Sequence, residues 1–298
     1  MTSHASPGAP ARLAVGVISA GRVGTALGQA WERAGHLVVA TSAISDASRR
    51  RAADRLPEAV VVPPDEVAAR ADLLLLAVPD DALVGLVSGL ASTDAVRPGQ
   101  IVVHTAGAWG VGVLEPLRRL GALPLALHPA MTFTGHPEDT ARLVSCCFGV
   151  TALDEPGWAV GQALVLEVGA EPVRVAEADR ATYHAALAHG ANHLVTLVRD
   201  AVQVLESVTT GGVPAERLLS PLLSAALDNA LRHGDRALTG PVARGDAATV
   251  ATHLRVLREV DPELAEVYRA LSRRTAQRAQ EHALITAAAA RAVLEELS

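Results

Sequence analysis

The sequence is poor in aromatic residues and in cysteine, and it contains no long apolar run. Phe, Trp and Tyr make up only 2% of the 298 residues, so Ala, Val and Leu supply most of the apolar side chains. The two cysteines, Cys146 and Cys147, are adjacent and cannot join distant segments through disulfides, which is typical of a reducing compartment. Because no stretch of about 18 or more apolar residues occurs, we expect no membrane-spanning helix.

The charge composition narrows the range of partners. The formal net charge is -6 at pH 7, so no excess of basic residues supports binding to nucleic acid or to an anionic membrane. Residues 1–11 are rich in Pro, Ser, Gly and Ala and lack the basic and apolar regions of a signal peptide, so we expect a disordered tail there. These features predict a soluble cytoplasmic protein whose partner is a small molecule.

Short apolar runs alternate with helix-like segments through the first half of the chain, which is typical of a parallel sheet with crossover helices. Strands are predicted at 13–18, 37–41, 60–62, 73–78, 101–104 and 123–127, with weaker ones near 147–151 and 172–175. Helices are predicted at about 22–35, 46–55, 64–70, 80–91 and 110–120. The segment LLLLAV at 73–78 has no polar face, which indicates a central strand covered on both sides.

The pattern changes after Glu177, where strands end and apolar residues recur at helical spacing. One helix of roughly thirty residues is expected over 178–208, ended by Gly211 and Gly212. Further helices are expected near 214–232, 245–259 and 262–297, the last of which can be broken. The predicted fold is therefore α/β, with a domain boundary within 155–177. A Rossmann domain with a mostly parallel sheet covers 12–155, and an all-α C-terminal domain with a linking strand near 172–175 covers 156–298.

The first strand runs into a turn at the position of the G-x-G-x-x-G motif of dinucleotide-binding domains. There the backbone passes close to a pyrophosphate, and the first N–H groups of the next helix point at it. Gly21 permits that approach, and Gly24 permits close packing of helix on strand. Ser19 replaces the first glycine. A serine makes this turn without strain only if its φ avoids positive values, and its hydroxyl is a candidate phosphate ligand. The predicted cofactor-binding residues here are Ser19, Ala20, Gly21, Arg22, Val23 and Gly24.

The end of the second strand favours NADP over NAD. An acidic residue that would bind the ribose 2′-hydroxyl of NAD is absent at the strand end. The chain instead has hydroxyl groups at Ser42 and Ser45, followed by arginines at 49–51, which suit a 2′-phosphate. The alternative is structural, with Asp46 capping the next helix and the arginines in solvent. We predict that Ser42 and Ser45 bind the cofactor.

Several further segments, taken with this turn, resemble one family. They are DLLLLAVPDD at 72–81, HTAG at 104–107, LHPAMTFTG at 127–135, YHAA at 183–186 and LTGPVARGD at 238–246. Over roughly residues 12–285 the chain is similar to proteins that join a Rossmann-like domain to a DUF2520 domain. Those proteins are relatives of the pyrroline-5-carboxylate reductase, prephenate dehydrogenase and 6-phosphogluconate dehydrogenase superfamily. The resemblance implies an NADP-dependent oxidoreductase.

The resemblance also assigns roles by position. The segment after the fourth strand would line the dinucleotide, and the loop after the fifth strand would lie near the nicotinamide and the substrate. His128 is similar to the histidine of the His-Pro turn of prephenate dehydrogenases. The residues given cofactor or substrate contacts in this way are Ala77, Val78, Pro79, Thr105 and Gly107.

The sequence departs from the pattern of its relatives at four positions. One is the position of a catalytic lysine, and the other three are further site positions. The superfamily often carries a catalytic Lys, and an Asn four residues further on, along the first helix of the second domain. Asn192 fits the second place, but position 188 is alanine, so the lysine mechanism does not transfer. Ala106 and Ala191 stand where relatives often carry serine, and Ser19 stands in place of glycine. These departures weaken the case for catalysis more than the case for cofactor binding.

Hydride transfer requires a proton donor and groups that orient a polar substrate. His104 and His128 follow parallel strands at the edge where open α/β sheets bind ligands, so both are catalytic candidates. The alternative for each is to hold a loop in place. On the long helix, Asn192 is a candidate substrate-orienting amide and His189 a candidate substrate contact. His189 and His193 have metal-ligand spacing, but no third ligand is evident, so no metal is predicted.

Two functions are consistent with these residues. The favoured one is an NADP-dependent oxidoreductase that transfers hydride to or from a small carbonyl, hydroxy-acid or imine substrate, with His128 as the proton donor. The alternative is a non-catalytic dinucleotide-binding sensor or regulatory protein, which the missing lysine and the alanines favour. The broad apolar face of 178–208 also predicts a homodimer formed by the C-terminal helices, with the active cleft between the two domains.

Overall fold

The computed structural model describes residues 12–210 and 212–298, which form two compact units divided after Gly190. The expected tail at 1–11 and the glycine at 211 lie outside the described residues. The first unit is built on an eight-stranded sheet in the order β3-β2-β1-β4-β5-β6-β7-β8. Its strands are β1 (Ala14–Ile18), β2 (Leu37–Thr41), β3 (Val60–Val61), β4 (Leu73–Leu76), β5 (Ile101–His104), β6 (Leu123–Pro129), β7 (Cys147–Thr151) and β8 (Glu171–Arg174).

The strand pairs are parallel except for β6 with β7, which is antiparallel. The order reverses between β1 and β4, as in doubly wound dinucleotide-binding sheets. The helices of this unit are α1 (Arg22–Arg33), α2 (Asp46–Arg55), α3 (Pro64–Arg70), α4 (Asp80–Ala91), α5 (Glu115–Arg118), α6 (Glu138–Arg142), α7 (Glu155–Glu167) and α8 (Arg180–Leu187). The predicted α/β fold with a mostly parallel sheet is confirmed.

Two apolar layers hold the sheet, one on each face. On one face, Trp31 of α1 and Leu164 of α7 pack with Val15 and Val17 of β1. On the other face, Val67 of α3 and Leu83 of α4 belong to a second buried cluster. All four leucines of β4 are buried, because this central strand is covered from both sides. The continuous apolar run LLLL therefore has a direct structural cause.

The second unit is helical. A π-helical segment, Ala188–Asn192, spans the division between the units and leads into α9 (His193–Val208). The remaining helices are α10 (Ala215–His233), α11 (Gly240–Arg244), α12 (Ala247–Val260), α13 (Pro262–Glu281) and α14 (Ala287–Glu296). Val250, Leu254 and Ala276 pack with Val293 and Leu297 in its core. None of the described helices is long and apolar enough to cross a membrane.

Two helix predictions need correction. The helix predicted at 110–120 is a 3-10 turn, Val111–Leu114, followed by the single turn of α5. The long helix predicted over 178–208 is divided by the π-helical segment, which a search for a 3.6-residue period cannot detect. The break expected in the last helix is confirmed: it lies between α13 and α14, where Ala283 adopts a φ of 55°.

The first compact unit extends beyond the boundary predicted within 155–177. It continues to Gly190 because α7 packs on β6, β7 and β8, and because β8 extends the sheet by pairing with β7. α8 also belongs to this unit, through buried contacts of Arg180 with β6 and β7. Tyr183, His184 and His189 therefore lie in the sheet-bearing unit, whereas Asn192 lies in the helical unit.

The turn between β1 and α1 depends on an unusual backbone conformation. Ser19 has a φ of 79°, so it does not avoid the left-handed region as a strain-free serine would. Its N–H donates to Oγ of Ser42 at 2.9 Å, which ties the turn to the end of β2. A side chain at Gly24 would collide with the carbonyl oxygen of Ser19 and approach Cγ1 of Val17. Gly24 therefore allows the close packing of α1 on β1 that the sequence predicts.

We expect Ser19→Gly to stabilise the protein by about 1 kcal/mol. A side chain in the left-handed region costs roughly 1–2 kcal/mol, and the greater freedom of glycine in the unfolded chain offsets about half of the gain. Urea unfolding of the two proteins measures the difference. Ser19→Ala is the matched control because it keeps Cβ, and equal stability of the glycine and alanine variants would contradict the assignment of strain.

Candidate functional site

The carboxyl ends of four neighbouring strands lie in one row. Ile18 pairs with Leu76, Leu76 with His104, and His104 with Ala126, so β1, β4, β5 and β6 are in lateral register. The segments that leave these strands therefore emerge at the same edge of the sheet. They include the Ser19–Gly24 turn, the Ala77–Pro79 segment, the Thr105–Gly107 loop and His128, which the sequence predicts to form one site.

The N-terminus of α1 is free to bind an anion. Its N-cap, Gly21, provides no side-chain hydrogen bond, and no acidic residue lies in the first turn. A Cβ added at Gly21 would meet only Ser19 Oγ at 3.3 Å and the carbonyl oxygen of Ala77 at 3.9 Å, so the backbone there is open to close approach. An uncapped helix N-terminus beside an open backbone has the donors and the partial positive charge that a phosphate requires.

The two serines predicted to bind the cofactor have structural partners. Ser42 is buried, and its hydroxyl and carbonyl oxygens accept hydrogen bonds from the N–H groups of Ser19 and Ala20. Ser45 is the N-cap of α2 and accepts from the N–H of Ser48, a capping role that the sequence assigned to Asp46. Both serines thus shape the edge of the site through the backbone, and their hydroxyls are engaged within the protein.

Two arginines border this turn. Nε of Arg51, in α2, donates to the carbonyl oxygen of Ala20 at 3.3 Å. Arg22 is exposed, and its Cγ lies 3.3 Å from where a Cβ on Gly135 would stand. The guanidinium of Arg51 therefore reaches the turn from α2, and the side chain of Arg22 lies against Gly135 in the loop that follows β6.

That loop, 130–137, is held by buried polar groups. The carboxylate of Asp139, which is fully buried, accepts from the N–H groups of Thr134 and Gly135 at 2.9 and 2.7 Å. Nη1 of the buried Arg55 donates to the carbonyl oxygen of His136 at 2.9 Å, and Nη2 donates to the hydroxyl of Thr140. The segment LHPAMTFTG is thus fixed over the start of α1.

The segment after β4 lies against the same turn. Ala77 donates its N–H to the carbonyl oxygen of Ile18 at 3.0 Å, and its Cβ approaches Gly24. Val78 is half-buried, and the exposed Pro79 precedes α4 as its N-cap. The structure therefore brings all three of the predicted positions to the edge that the turn occupies.

His104 holds its own loop. It is fully buried, its Nδ1 accepts from the N–H of Ala106 at 3.2 Å, and its Nε2 lies 2.9 Å from the carbonyl oxygen of Gly110. This pairing requires the neutral ring with its proton on Nε2. Burial lowers the pKa of His104 to about 4 and outweighs the opposing hydrogen bond to Gly110. These contacts favour the loop-holding alternative over a catalytic role.

His128 lies in a cluster with two residues of α8. Its Nδ1 is 2.9 Å from the hydroxyl of Tyr183, and its ring meets the rings of Tyr183 and His184 edge-on. A Cβ on Gly107 would stand 2.9 Å from His128 Nε2 and 2.5 Å from Cδ2 of His184. The predicted substrate-contact residue Gly107 and the predicted proton donor His128 are therefore in direct contact. Thr105, the other residue predicted in this loop, is half-buried.

A buried arginine lies beside this cluster. Arg180 is 1% exposed, and it donates to the hydroxyl of Thr151 and to the carbonyl oxygens of Ala126 and Gly149. No carboxylate of the described residues forms a salt bridge with it, and its Nη1 has no hydrogen-bond partner among them. Burial, and then the charge of Arg180, lower the pKa of His128 to about 4, so this ring is neutral at pH 7.

Arg180 and Tyr183 are site residues that the sequence analysis did not assign. The signal for them was small side chains on the sheet. Ala126 and Gly149 leave room on one face of β6 and β7, and a Cβ on Gly149 would stand 2.6 Å from the hydroxyl of Tyr183. Tyr183 was visible only as part of the family-like segment YHAA.

The two remaining predicted residues lie at the π-helical segment. His189 and Asn192 are both exposed, and Asn192 belongs to the second unit. Positions in a π-helix are related by i→i+5 hydrogen bonds, so the α-helical spacing assumed for these residues does not hold. Among the described residues, no group of three or more His, Cys, Asp or Glu side chains is placed to hold a metal ion.

Comparison with known proteins agrees with this architecture. Residues 2–129 match the model of a Rossmann-like domain, and residues 146–275 match a domain of unknown function, DUF2520. Together the two matches span most of the chain. No protein of curated function matches the sequence.

Solved structures share the fold at low sequence identity. BF3122 from Bacteroides fragilis, whose assignment as an NADP oxidoreductase is itself provisional, is 23% identical with a TM-score of 0.72, over 89% of this chain and 98% of that one. An imine reductase from Myxococcus stipitatus, in complex with NAD+, is 16% identical with a TM-score of 0.59, over 90% and 94%. A 1-pyrroline-5-carboxylate reductase from Streptococcus pyogenes is 13% identical with a TM-score of 0.59, over 91% and 99%.

Proposed function

Because the chain belongs to the proteins that join a Rossmann-like domain to a DUF2520 domain, we propose that it is an NADP-dependent oxidoreductase. The single observation that carries this proposal is the turn after β1. It combines an uncapped α1 N-terminus, the open backbone of Gly21 and the packing of Gly24. These are the features that a dinucleotide pyrophosphate needs. The cytoplasmic location expected from the cysteines stays a prediction.

The residues that would hold the dinucleotide fit its chemistry. The N–H groups at Gly21, Arg22 and Val23 would receive the pyrophosphate, and Ala77–Pro79 would border it. Arg51 is the candidate ligand for a 2′-phosphate, because its guanidinium reaches the turn at Ala20 and β2 ends without an acidic residue. When bound, the nicotinamide supplies hydride chemistry.

The substrate is proposed to lie beside Gly107 and His128. Both are at the carboxyl edge of the parallel strands, where open α/β sheets bind ligands. Nε2 of His128 lies against Gly107, and His104 holds the loop that contains Gly107 through hydrogen bonds to Ala106 and Gly110. The proposed substrate is a small carbonyl, hydroxy-acid or imine compound. The role predicted for Asn192 stays a prediction.

NADPH is expected to bind roughly tenfold more tightly than NADH. A charge-assisted hydrogen bond to the 2′-phosphate contributes about 1.5–3 kcal/mol, and a tenfold change in affinity corresponds to about 1.4 kcal/mol. Titration by nicotinamide fluorescence measures both affinities. Arg51→Gln should remove the preference and leave NADH binding unchanged, whereas Arg70→Gln, an exposed arginine paired with Glu66, is the control. Equal affinities in the native protein would refute the NADP assignment.

Gly21→Val should abolish binding of either nucleotide, measured by the same titration.

His128→Ala is expected to lower turnover of NADPH with a true substrate by roughly a hundredfold, the usual size of the loss when one hydrogen-bond donor to the developing charge is removed. The affinity for NADPH should change little, because His128 does not contact the glycine turn in the structure. His136→Ala, an exposed histidine of the loop that follows β6, is the matched control. Normal turnover of His128→Ala would exclude it as the donor. NADPH binding without turnover of any carbonyl, hydroxy acid or imine would favour the sensor alternative.

We also propose that the protein is a homodimer formed through the second unit. α9 and α10 expose Leu197, Leu222 and Leu231, at 42%, 65% and 80% of their surfaces. A cavity of about 440 Å³ between α9, α10, α12 and α13 has a mostly apolar lining, including Leu205 and Leu264. Apolar surface of this extent on a soluble chain is typical of a protein interface.

Light scattering at micromolar concentration should give twice the 30.8 kDa mass of one chain. Leu222→Glu with Leu231→Glu should shift the mass to that of the monomer, because two carboxylates would be buried in the interface. The surface change Val144→Glu, on a residue of the first unit that is 64% exposed, is the control. A native protein that is monomeric under these conditions would contradict the proposal.

A further inference from the structure

The hydrogen bond between Tyr183 and His128 has only one satisfactory direction. Among the described residues, the hydroxyl of Tyr183 has no acceptor other than Nδ1 of His128, at 2.9 Å. If Nδ1 carried the ring proton, two donors would face each other, or the phenol proton would have no acceptor among the described residues. Burial raises the pKa of Tyr183 and outweighs the lowering by the charge of Arg180 and by the backbone of Gly149, so the phenol keeps its proton at neutral pH.

The other nitrogen of His128 faces the loop after β5. Nε2 makes no hydrogen bond to the described residues, and it lies beside the Cα of Gly107, where a Cβ would stand only 2.9 Å away. Its ring is held edge-on by Tyr183 and His184. Nε2 therefore has a fixed direction and no internal partner.

We propose that Tyr183 is a positioning residue that donates to Nδ1 of His128 and thereby keeps the imidazole proton on Nε2, so that this wall of the site offers an N–H donor beside Gly107. The Nε2–H group of His128 can then donate to a ligand atom that accepts a hydrogen bond. Under the proposed oxidoreductase function, on which this step rests, the substrate atom at His128 is then a carbonyl oxygen and not a protonated iminium nitrogen.

The charges around His128 agree with this choice. The groups that face it are Tyr183, His184 and Arg180 of α8, and His104 of β5. None of these is a carboxylate. Burial lowers the pKa of Arg180 and outweighs the charge of Glu177, whose carboxylate accepts from the N–H groups of Val111 and Gly112 at 2.7 and 2.9 Å. A buried guanidinium without an ion pair favours an oxygen that gains negative charge during hydride transfer and disfavours a cation.

Nitrogen-15 NMR of histidine-labelled protein tests the tautomer directly, without cofactor or substrate. His128, assigned by its loss in His128→Gln, should carry its proton on Nε2 at pH 7. Tyr183→Phe should give a mixture of tautomers and raise the pKa of His128 by about one unit, because the donor to Nδ1 is lost. Tyr268→Phe is the matched control, since Tyr268 contacts Nδ1 of His253 at the same distance, 2.9 Å, in the second unit.

A second variant guards against misfolding of the first. Gly149→Ala keeps the phenol but displaces it, because the new Cβ would stand 2.6 Å from its oxygen, and it should have the same effect on His128. A proton on Nδ1 of His128 in the native protein would overturn the proposal. The proposal would also be overturned if Tyr183→Phe and Gly149→Ala both left the tautomer and the pKa of His128 the same as they are in the control Tyr268→Phe.

The ligand class is tested in the NADPH complex with two molecules of the same shape, acetamide and acetamidinium. Acetamide should shift the His128 Nε2 resonance at concentrations at least tenfold lower than acetamidinium. An equal or stronger response to acetamidinium, or no response to acetamide, would overturn the assignment of a carbonyl substrate. Failure of NADPH to bind would instead refute the proposed function, and the tautomer measurement on the free protein would still decide the role of Tyr183.

Discussion

Parallel pairing of β1, β4, β5 and β6 in one lateral register is the constraint on which the candidate site depends. Because Ile18, Leu76, His104 and Ala126 lie side by side, the chain leaves all four strands at the same level. Segments that are far apart in sequence then share one edge. A shift of one residue in any of these pairs would also turn its side chains to the other face of the sheet.

Two buried arginines support the edge in different ways. Arg55 lies close to the carboxylate of Asp139, and between them they fix the loop after β6 by hydrogen bonds to its backbone. Arg180 has only neutral oxygens as hydrogen-bond partners, so its charge is not cancelled by an ion pair. The first arrangement stabilises a loop conformation. The second also leaves a positive potential at His128, which adds to the larger effect of burial in lowering the pKa of this imidazole.

The sequence predicts the sheet well because the signals are local. The buried run of β4, the alternation of strands and helices, and the glycine at position 24 are each read from adjacent residues. The positive φ of Ser19 was not predictable from the residue itself, because serine rarely adopts it, and its N–H bonds to Ser42 in a different segment. The π-helical segment was missed because a single 3.6-residue period was assumed through Gly190. Both of these features depend on contacts or periods outside the window in which patterns are read.

The site was predicted in position but not in detail, for the same reason. His128 and Gly107 were both placed at the sheet edge from the ends of their strands. The roles of Arg180 and Tyr183 depend on the space that Ala126 and Gly149 leave, and small residues on a strand do not reveal what fills that space. For His104 the position suggested a role that its contacts do not support, because a histidine at a strand end has the sequence signature of a catalytic group. Its two hydrogen bonds inside one loop are visible only in the structure.

The absence of lysine limits which groups of the chain can move a proton. All 26 residues counted as lysine or arginine are arginines, and a guanidinium keeps its proton at neutral pH. No side-chain amine is therefore present to replace the lysine that related enzymes often carry. The groups next to Gly107 are imidazoles and a phenol. Because burial and Arg180 keep His128 neutral, its Nε2 proton is available for a hydrogen bond without prior protonation from solvent. A fixed guanidinium then supplies the positive charge and a neutral imidazole supplies the hydrogen-bond donor, two tasks that a single lysine would perform.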